Sequence, residues 1–130
     1  MEENEKMLEL KDFEEAKKRV DEVIIPTPLI YSPAFSKECR NMVYIKPENL
    51  QRTGAFKIRG AYNKIMKMDD ESKSRGLIAS SAGNHAQGVA YAAQQLGVKA
   101  TIVMPAHTPL IKVDATKALG ADVVLHGEVY

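Results

Sequence analysis

The sequence predicts an α/β fold in which helices cover the faces of a parallel sheet. Apolar runs that suit strands alternate with longer amphipathic stretches from residue 76 onward, and a glycine follows each helical stretch. Strands that are separated by single helices imply crossover connections, which pair the strands in parallel. The 130 residues are 45% hydrophobic, which is enough apolar material for a buried core.

The first half of the chain predicts helices that alternate with short strands. Apolar residues recur every three or four positions over 10–24, which is typical of an amphipathic helix, and Pro26 ends it. Short strands are predicted over 29–31 and 42–45, with a turn or short helix over 32–39 between them.

A second long helix is predicted after Thr53, which is its expected N-cap. Its apolar stripe begins at Phe56 and runs to about Met68, and Lys57 lies in its first turn. Residues 48–52 are predicted to form a loop before this helix. The polar stretch 69–75 is predicted to be a linker after it.

The second half predicts strands over 76–80, 100–104 and 121–125, and helices over 84–96 and 108–119. The chain stops shortly after the last strand. Because parallel sheets normally have both faces covered by helices, we expect the 130 residues to be part of a longer protein.

The composition argues against nucleic-acid, membrane and metal partners. The net charge is +1, with 18 basic and 17 acidic residues, so no single-sign field would attract nucleic acid. The amino terminus has no uninterrupted apolar stretch for a signal peptide or a spanning helix. Cys39 is the only cysteine, which excludes an intrachain disulfide and favours a reducing, cytoplasmic compartment. His85, His107 and His126 lack paired ligand spacing, so no metal site is expected.

The stretch SSAGNHAQG, residues 80–88, follows a predicted strand and opens a predicted helix. In an open α/β sheet, ligands bind at the carboxyl ends of the strands. Small residues at 81–83 let a ligand approach the backbone, whose free amide groups can hold a carboxylate or phosphate, and Asn84 and His85 add side-chain hydrogen bonds. The alternative is that Ser81 and Asn84 only cap the helix, and neither nucleotide-binding glycine pattern is present.

The stretch RTGAFKIRG, residues 52–60, places Lys57 near the start of a helix. The positive end of the helix dipole disfavours the ammonium form of lysine, and burial beside Phe56 would disfavour it further. A neutral amine attacks a carbonyl to form a Schiff base, so this position suits covalent chemistry. If Arg59 lies close in space, its positive charge would repel the ammonium form of Lys57 and disfavour it further. The alternative is that Lys57 is a surface lysine and Arg59 a solvated helix charge.

Three stretches together resemble the threonine dehydratase (threonine ammonia-lyase) family. They are PTPL at 26–29, KPENLQRTGAFKIRGA at 46–61 and SAGNHAQG at 81–88, and the resemblance runs from about residue 10 to residue 130. The family belongs to the fold type II pyridoxal phosphate enzymes, which include serine dehydratases, serine racemase and the tryptophan synthase β chain. The resemblance therefore implies pyridoxal 5′-phosphate as the cofactor.

The resemblance also implies roles for individual residues. Lys57 matches the lysine that holds the cofactor as a Schiff base and exchanges protons at the substrate Cα, and Phe56 matches its aromatic neighbour beside the cofactor. Asn84 matches the asparagine that hydrogen-bonds the hydroxyl of the cofactor ring. The loop that binds the substrate carboxylate is matched by Ser81, Gly83, Asn84 and His85.

The implied reaction is β-elimination, which converts L-threonine to 2-oxobutanoate and ammonia, or L-serine to pyruvate and ammonia. Serine racemase carries a serine at the position of Ala82, so racemisation is not expected. A serine dehydratase remains an alternative, and so does a cysteine synthase or threonine synthase relative, although His85 and its context favour the dehydratases.

Family members carry a glycine-rich loop for the cofactor phosphate further along the chain, and none precedes Tyr130. The 130 residues alone are therefore expected to be inactive, and a non-catalytic fragment or binding module is the alternative. The family inserts a smaller domain into a larger one. Residues 1–75 are therefore expected to begin the larger, cofactor-binding domain, and residues 76–130 to form an incomplete smaller α/β domain. The full-length protein is expected to be a homo-oligomer that binds a small amino-acid substrate.

Overall fold

The computed structural model of the protein describes residues 7–129. Within them the helices and strands are α1 (Leu10–Val20), β1 (Ile30–Tyr31), α2 (Pro33–Cys39), β2 (Tyr44–Ile45), α3 (Lys57–Met66), α4 (Asp70–Arg75), β3 (Leu77–Ser80), α5 (Asn84–Gln95), β4 (Ala100–Met104), α6 (Leu110–Ala118) and β5 (Asp122–Leu125). Two short 3₁₀ turns, Glu48–Leu50 and Arg52–Gly54, precede α3. None of these described helices is long and apolar enough to cross a membrane.

The strands form two separate sheets. Strands β1 and β2 make an antiparallel pair in which Ile30 lies opposite Ile45. Strands β3, β4 and β5 are parallel and lie in that order, with α5 connecting the first two and α6 the last two. The predicted α/β fold with a parallel sheet is therefore confirmed.

The core lies where α3 and α5 pack together and against the central strand β4. Helix α5 faces its neighbours with small buried side chains such as Ala86 and Ala93, which let the backbones approach closely. Ile58 of α3 and Ile102 of β4 are fully buried. Burial of each such side chain contributes about 2 kcal/mol to folding. A single cluster of buried residues joins both halves of the chain, and the predicted division near residue 75 stays a prediction.

Helix α1 ends at Val20, earlier than predicted. The side-chain amide of Gln51 bonds both polar groups of the Ile25 backbone, since its oxygen accepts from the N–H at 2.8 Å and its nitrogen donates to the carbonyl at 2.7 Å. These bonds fix the backbone directly before Pro26, and residues 21–24 leave the helix in a turn whose N–H groups at Val23 and Ile24 bond the Val20 carbonyl.

The predicted linker over 69–75 contains a helix, α4. Asp69 caps it, because its carboxylate accepts a hydrogen bond from the backbone N–H of Ser72 at 2.7 Å. Two acidic residues then lie in its first turn and two basic residues in its last turn, which suits the helix dipole. The polar composition that predicts a linker here encodes a solvent-facing helix.

The predicted N-cap at Thr53 is wrong. Thr53 has left-handed backbone angles, φ 62° and ψ 12°, inside the 3₁₀ turn Arg52–Gly54, whereas an N-cap residue is normally extended. Helix α3 begins at Lys57, and Phe56 occupies the cap position without a side-chain hydrogen bond. The chain reverses through Thr53 and Gly54, which also has a positive φ, before it enters the helix.

Candidate functional site

Lys57 is the first residue of α3, so the prediction that it lies in the first turn of a helix is confirmed. Its side chain is exposed, and its Nζ lies 5.0 Å from the centroid of the Phe56 ring. Phe56 is itself 57% exposed. The predicted burial of the amine beside this ring is therefore wrong in residues 7–129.

The turn between β3 and α5 lies at the carboxyl end of its strand, as predicted. The backbone N–H of Ser81 still donates to the carbonyl of Val103 at 3.1 Å, so the turn is attached to the sheet. Gly83 occupies the N-cap position of α5 and offers no side-chain cap. Asn84 and His85 follow it with exposed side chains.

The alternative in which Ser81 and Asn84 cap α5 is not what the structure contains. The hydroxyl of Ser81 accepts a hydrogen bond from the N–H of Gly83 at 3.3 Å, which shapes the turn, and Asn84 is already the first helical residue. The first amide groups of α5 thus receive no side-chain cap. Such groups at a helix start can bind an anion.

The lysine stretch and the serine-to-histidine turn are brought together by close packing of α3 on α5. A Cβ added to Gly88 would lie 3.0 Å from the carbonyl carbon of Lys57 and 3.2 Å from the backbone nitrogen of Ile58. Gly88 lies about one helical turn after Asn84. Lys57, the first residue of α3, therefore lies beside α5, the helix that follows the serine-to-histidine turn.

Arg59 forms an ion pair that the sequence did not indicate. Its Nε donates to Oε2 of Glu48 and its Nη2 to Oε1, each at 2.8 Å. Chiefly through these hydrogen bonds, Arg59 holds the pKa of the Glu48 carboxyl well below its ordinary value of 4.5, at about 2. The expectation that Arg59 would repel the Lys57 amine is wrong, since a carboxylate neutralises it, and the alternative of a solvated charge is wrong as well. A glutamate in the predicted loop 48–52 was the available signal.

The chemistry of these donors fits pyridoxal phosphate. Among residues 7–129 the Lys57 amine has no hydrogen-bond or ion-pair partner, so it is available to an aldehyde. The uncapped amide groups of α5 suit an anionic group, and the Asn84 amide suits a ring oxygen. No group of three or more His, Cys, Asp and Glu residues in the described part of the chain could hold a metal ion.

Comparison with known proteins agrees with this chemistry. The model of a family described as pyridoxal-phosphate dependent enzyme matches residues 20–130. L-Threonine ammonia-lyase of Thermotoga maritima is 51% identical over 124 residues, which are 95% of this chain and 31% of that protein. The chain thus spans about a third of the length of this curated relative.

Solved structures of related enzymes are similar to the chain, including the following two. Serine racemase from Dictyostelium discoideum superposes with a TM-score of 0.86 at 38% identity, over 92% of this chain and 39% of that one. The processed form of threonine deaminase isoform 2 from Solanum lycopersicum gives 0.80 at 42% identity, over 94% and 35%. The family match, the fold and the residues around Lys57 agree, and the chain belongs to the family of pyridoxal-phosphate dependent enzymes.

Proposed function

We propose that this chain is the lysine-bearing part of an L-threonine ammonia-lyase, which converts L-threonine to 2-oxobutanoate and ammonia and L-serine to pyruvate and ammonia. The observation that carries the proposal is the packing of Lys57 against Gly88, because it sets a free amine beside a helix whose first amides are uncapped. The names of the relatives, an L-threonine ammonia-lyase and a threonine deaminase, support the choice of threonine.

The proposed roles follow the chemistry of each group. Lys57 would hold pyridoxal phosphate through a bond from Nζ to its aldehyde, beside the exposed ring of Phe56. The side-chain amide of Asn84 would donate a hydrogen bond to the ring oxygen. The substrate carboxylate is bound by the turn, through Ser81, Gly83, Asn84 and His85, where the backbone amides need no reorganisation to receive an anion.

Bound pyridoxal phosphate supplies an electron sink that makes the substrate Cα–H acidic. Once the substrate amine has displaced it, Nζ of Lys57 would be free to take the Cα proton, while the turn would hold the substrate carboxylate. Ala82 offers no hydroxyl for a second proton transfer. Racemisation through a hydroxyl at position 82 is therefore not expected, although a serine racemase has a similar structure.

Three further proposals concern the whole protein. Residues 1–75 begin a larger cofactor-binding domain and 76–130 lie in a smaller one. The full-length protein is a homo-oligomer, for which exposed apolar side chains such as Ile78 and Ile111 offer contact area. It works in the cytoplasm, where the free and exposed Cys39 would stay reduced.

A chimera tests the activity. Residues 10–129 replace the matching segment of the Thermotoga maritima L-threonine ammonia-lyase, and release of 2-oxobutanoate from L-threonine is measured with pyridoxal phosphate present. We expect turnover that is lost in the Lys57→Ala chimera. A folded chimera that turns over L-threonine equally well with Ala at position 57 would contradict the role of Lys57.

A second candidate is a module that binds the cofactor but does not turn over substrate. It is favoured by one observation, the 31% of the Thermotoga relative that the chain covers. The chain alone is mixed with pyridoxal phosphate and L-threonine. Binding of the cofactor at Lys57 without release of 2-oxobutanoate supports this candidate for the isolated chain, and sustained release excludes it.

A further inference from the structure

Arg59, which forms an ion pair with Glu48, lies two residues after Lys57 in sequence. Both nitrogen–oxygen distances are 2.8 Å, and the two side chains are 17% and 29% exposed. Two parallel charge-assisted hydrogen bonds fix the relative orientation of a guanidinium and a carboxylate, which one bond does not. We call these two side chains the Glu48–Arg59 pair.

The carboxylate of the pair is anchored in turn. The hydroxyl of Thr27 donates to Oε1 of Glu48 at 2.6 Å, and Thr27 is only 6% exposed. The Nζ of Lys46 donates to the Thr27 carbonyl at 2.7 Å. The Glu48–Arg59 pair therefore links the first turn of α3 to the extended segment around Thr27, through side chains that are themselves held in place.

A second set of bonds fixes the chain that leads into α3. The Gln51 side chain bonds the Ile25 backbone at both its polar groups, and Nε of Arg52 donates to the carbonyl of Val23 at 2.8 Å. The reversal at Thr53 follows directly. Residues 23–27 are thus bonded to the chain before Thr53, through Gln51 and Arg52, and to the chain after it, through the Glu48–Arg59 pair.

The first turn of α3 needs such support because its own cap is weak. Phe56 makes no side-chain cap, and helix ends without caps fray. Lys57 and Arg59 point in directions about 200° apart around the helix axis. Arg59 is held on one side by Glu48, Ile58 is buried in the core, and the backbone of Lys57 lies against Gly88. These contacts hold the turn on three sides, while the Lys57 side chain stays free.

We propose that the Glu48–Arg59 pair positions the Lys57 amine for its reaction with the cofactor aldehyde by fixing the first turn of α3. The inference rests on the proposed role of Lys57. Glu48 and Arg59 are positioning residues, which act through the helix backbone and do not bond to the reacting atoms.

The test is reductive labelling of the chain with pyridoxal phosphate and borohydride. The lysine amine condenses with the aldehyde and loses water, and hydride from the borohydride then reduces the carbon–nitrogen double bond to a stable secondary amine. Peptide mass spectrometry measures the initial labelling rates of Lys57 and of Lys64, an exposed lysine on the same helix. Their ratio reports the position of Lys57, because general loosening of the protein changes both rates.

The Glu48→Gln variant keeps the shape of the side chain and removes its charge. We expect the Lys57 to Lys64 ratio to fall about tenfold, as small displacements of reacting groups are costly. The matched control is Glu71→Gln, which removes the exposed ion pair with Arg75 and should leave the ratio unchanged. Arg59→Lys keeps the positive charge but not the two parallel bonds, and should lower the ratio by a smaller factor.

The outcomes separate the two proposals. If Lys57 is not labelled faster than Lys64 in the unaltered chain, the proposed role of Lys57 fails, and the positioning role fails with it. If Lys57 is labelled selectively and the ratio is unchanged in folded Glu48→Gln, the positioning role alone is overturned. Should Glu48→Gln not fold, Arg59→Lys decides by the same ratio, and an unchanged value there overturns the positioning role.

Discussion

The backbone of Lys57 lies directly against Gly88, with 3.1 Å between the Lys57 Cβ and a Cβ added to the glycine. This separation is closer than ordinary van der Waals contact, so no side chain fits there without movement of the neighbour. The atoms on the Lys57 side are backbone and Cβ atoms, which move only if the first turn of α3 moves. Gly88 therefore sets how closely the amine-bearing turn approaches α5.

The Gly88→Ala variant should displace Lys57. We expect overpacking to lower the free energy of unfolding by about 1 to 3 kcal/mol and to reduce labelling of Lys57 by pyridoxal phosphate. The control is Gly60→Ala on α3, where an added Cβ meets nothing within 4 Å. That change should raise stability by up to about 1 kcal/mol, because alanine favours helix. Urea unfolding and labelling rates check both variants, and equal behaviour of the two would contradict the packing argument.

The Lys57→Ala variant should lose reaction with pyridoxal phosphate and keep its fold. The side chain is exposed and makes no hydrogen bond or ion pair in the described part of the chain, so we expect stability to change by less than about 0.5 kcal/mol. Visible absorbance after addition of the cofactor, and the mass of the reduced adduct, measure the reaction. A folded variant whose adduct forms at another lysine as fast as in the unaltered chain would remove the special role of this residue.

The strands and helices of the second half were predictable because their period and glycine signals are local. Strand β4 has the predicted bounds, and α5 begins at Asn84 as predicted. The entry to α3 was not predictable in the same way. Threonine is a common capping residue, but Thr53 has left-handed angles in a turn whose preceding residue, Gln51, bonds the backbone of the distant Ile25. Local propensity yields to such tertiary contacts.

In the candidate site, too, the features with local signals were predictable and those that depend on long-range contacts were not. The position of Lys57 at a helix start followed from local pattern, and its proximity to α5 depended on the absence of a side chain at Gly88, which one sequence does not reveal as a contact. The partner of Arg59 was missed because Glu48 lies eleven residues earlier in a stretch without helical periodicity. Ion pairs across loops have no spacing rule.

The Thr53→Gly variant should stabilise the protein. Thr53 is a β-branched residue at φ 62°, which is a strained conformation, and its buried hydroxyl has no hydrogen-bond partner in the described part of the chain. Relief of the strain and of the unpaired hydroxyl outweighs the added flexibility of glycine, by about 1 kcal/mol net. Thermal unfolding measures the change. A lower midpoint than that of the unaltered chain would mean that the hydroxyl or methyl group makes a stabilising contact.

The charge on Glu48 makes stability depend on pH in a defined direction. Its pKa is about 2 in the folded chain against an ordinary value of 4.5, mainly because Arg59 donates hydrogen bonds to it. The folded state therefore binds fewer protons than the unfolded state between these values, so this contribution is complete above pH 4.5 and is lost as the pH falls through about 2. We expect the difference in unfolding free energy between the unaltered chain and Glu48→Gln to be large at about pH 7 and to shrink steadily on acidification. The same difference for the exposed Glu71→Gln variant should change far less. A Glu48→Gln difference that stays constant over this range would show that the carboxylate charge does not hold Arg59, and that packing alone orders the first turn of α3.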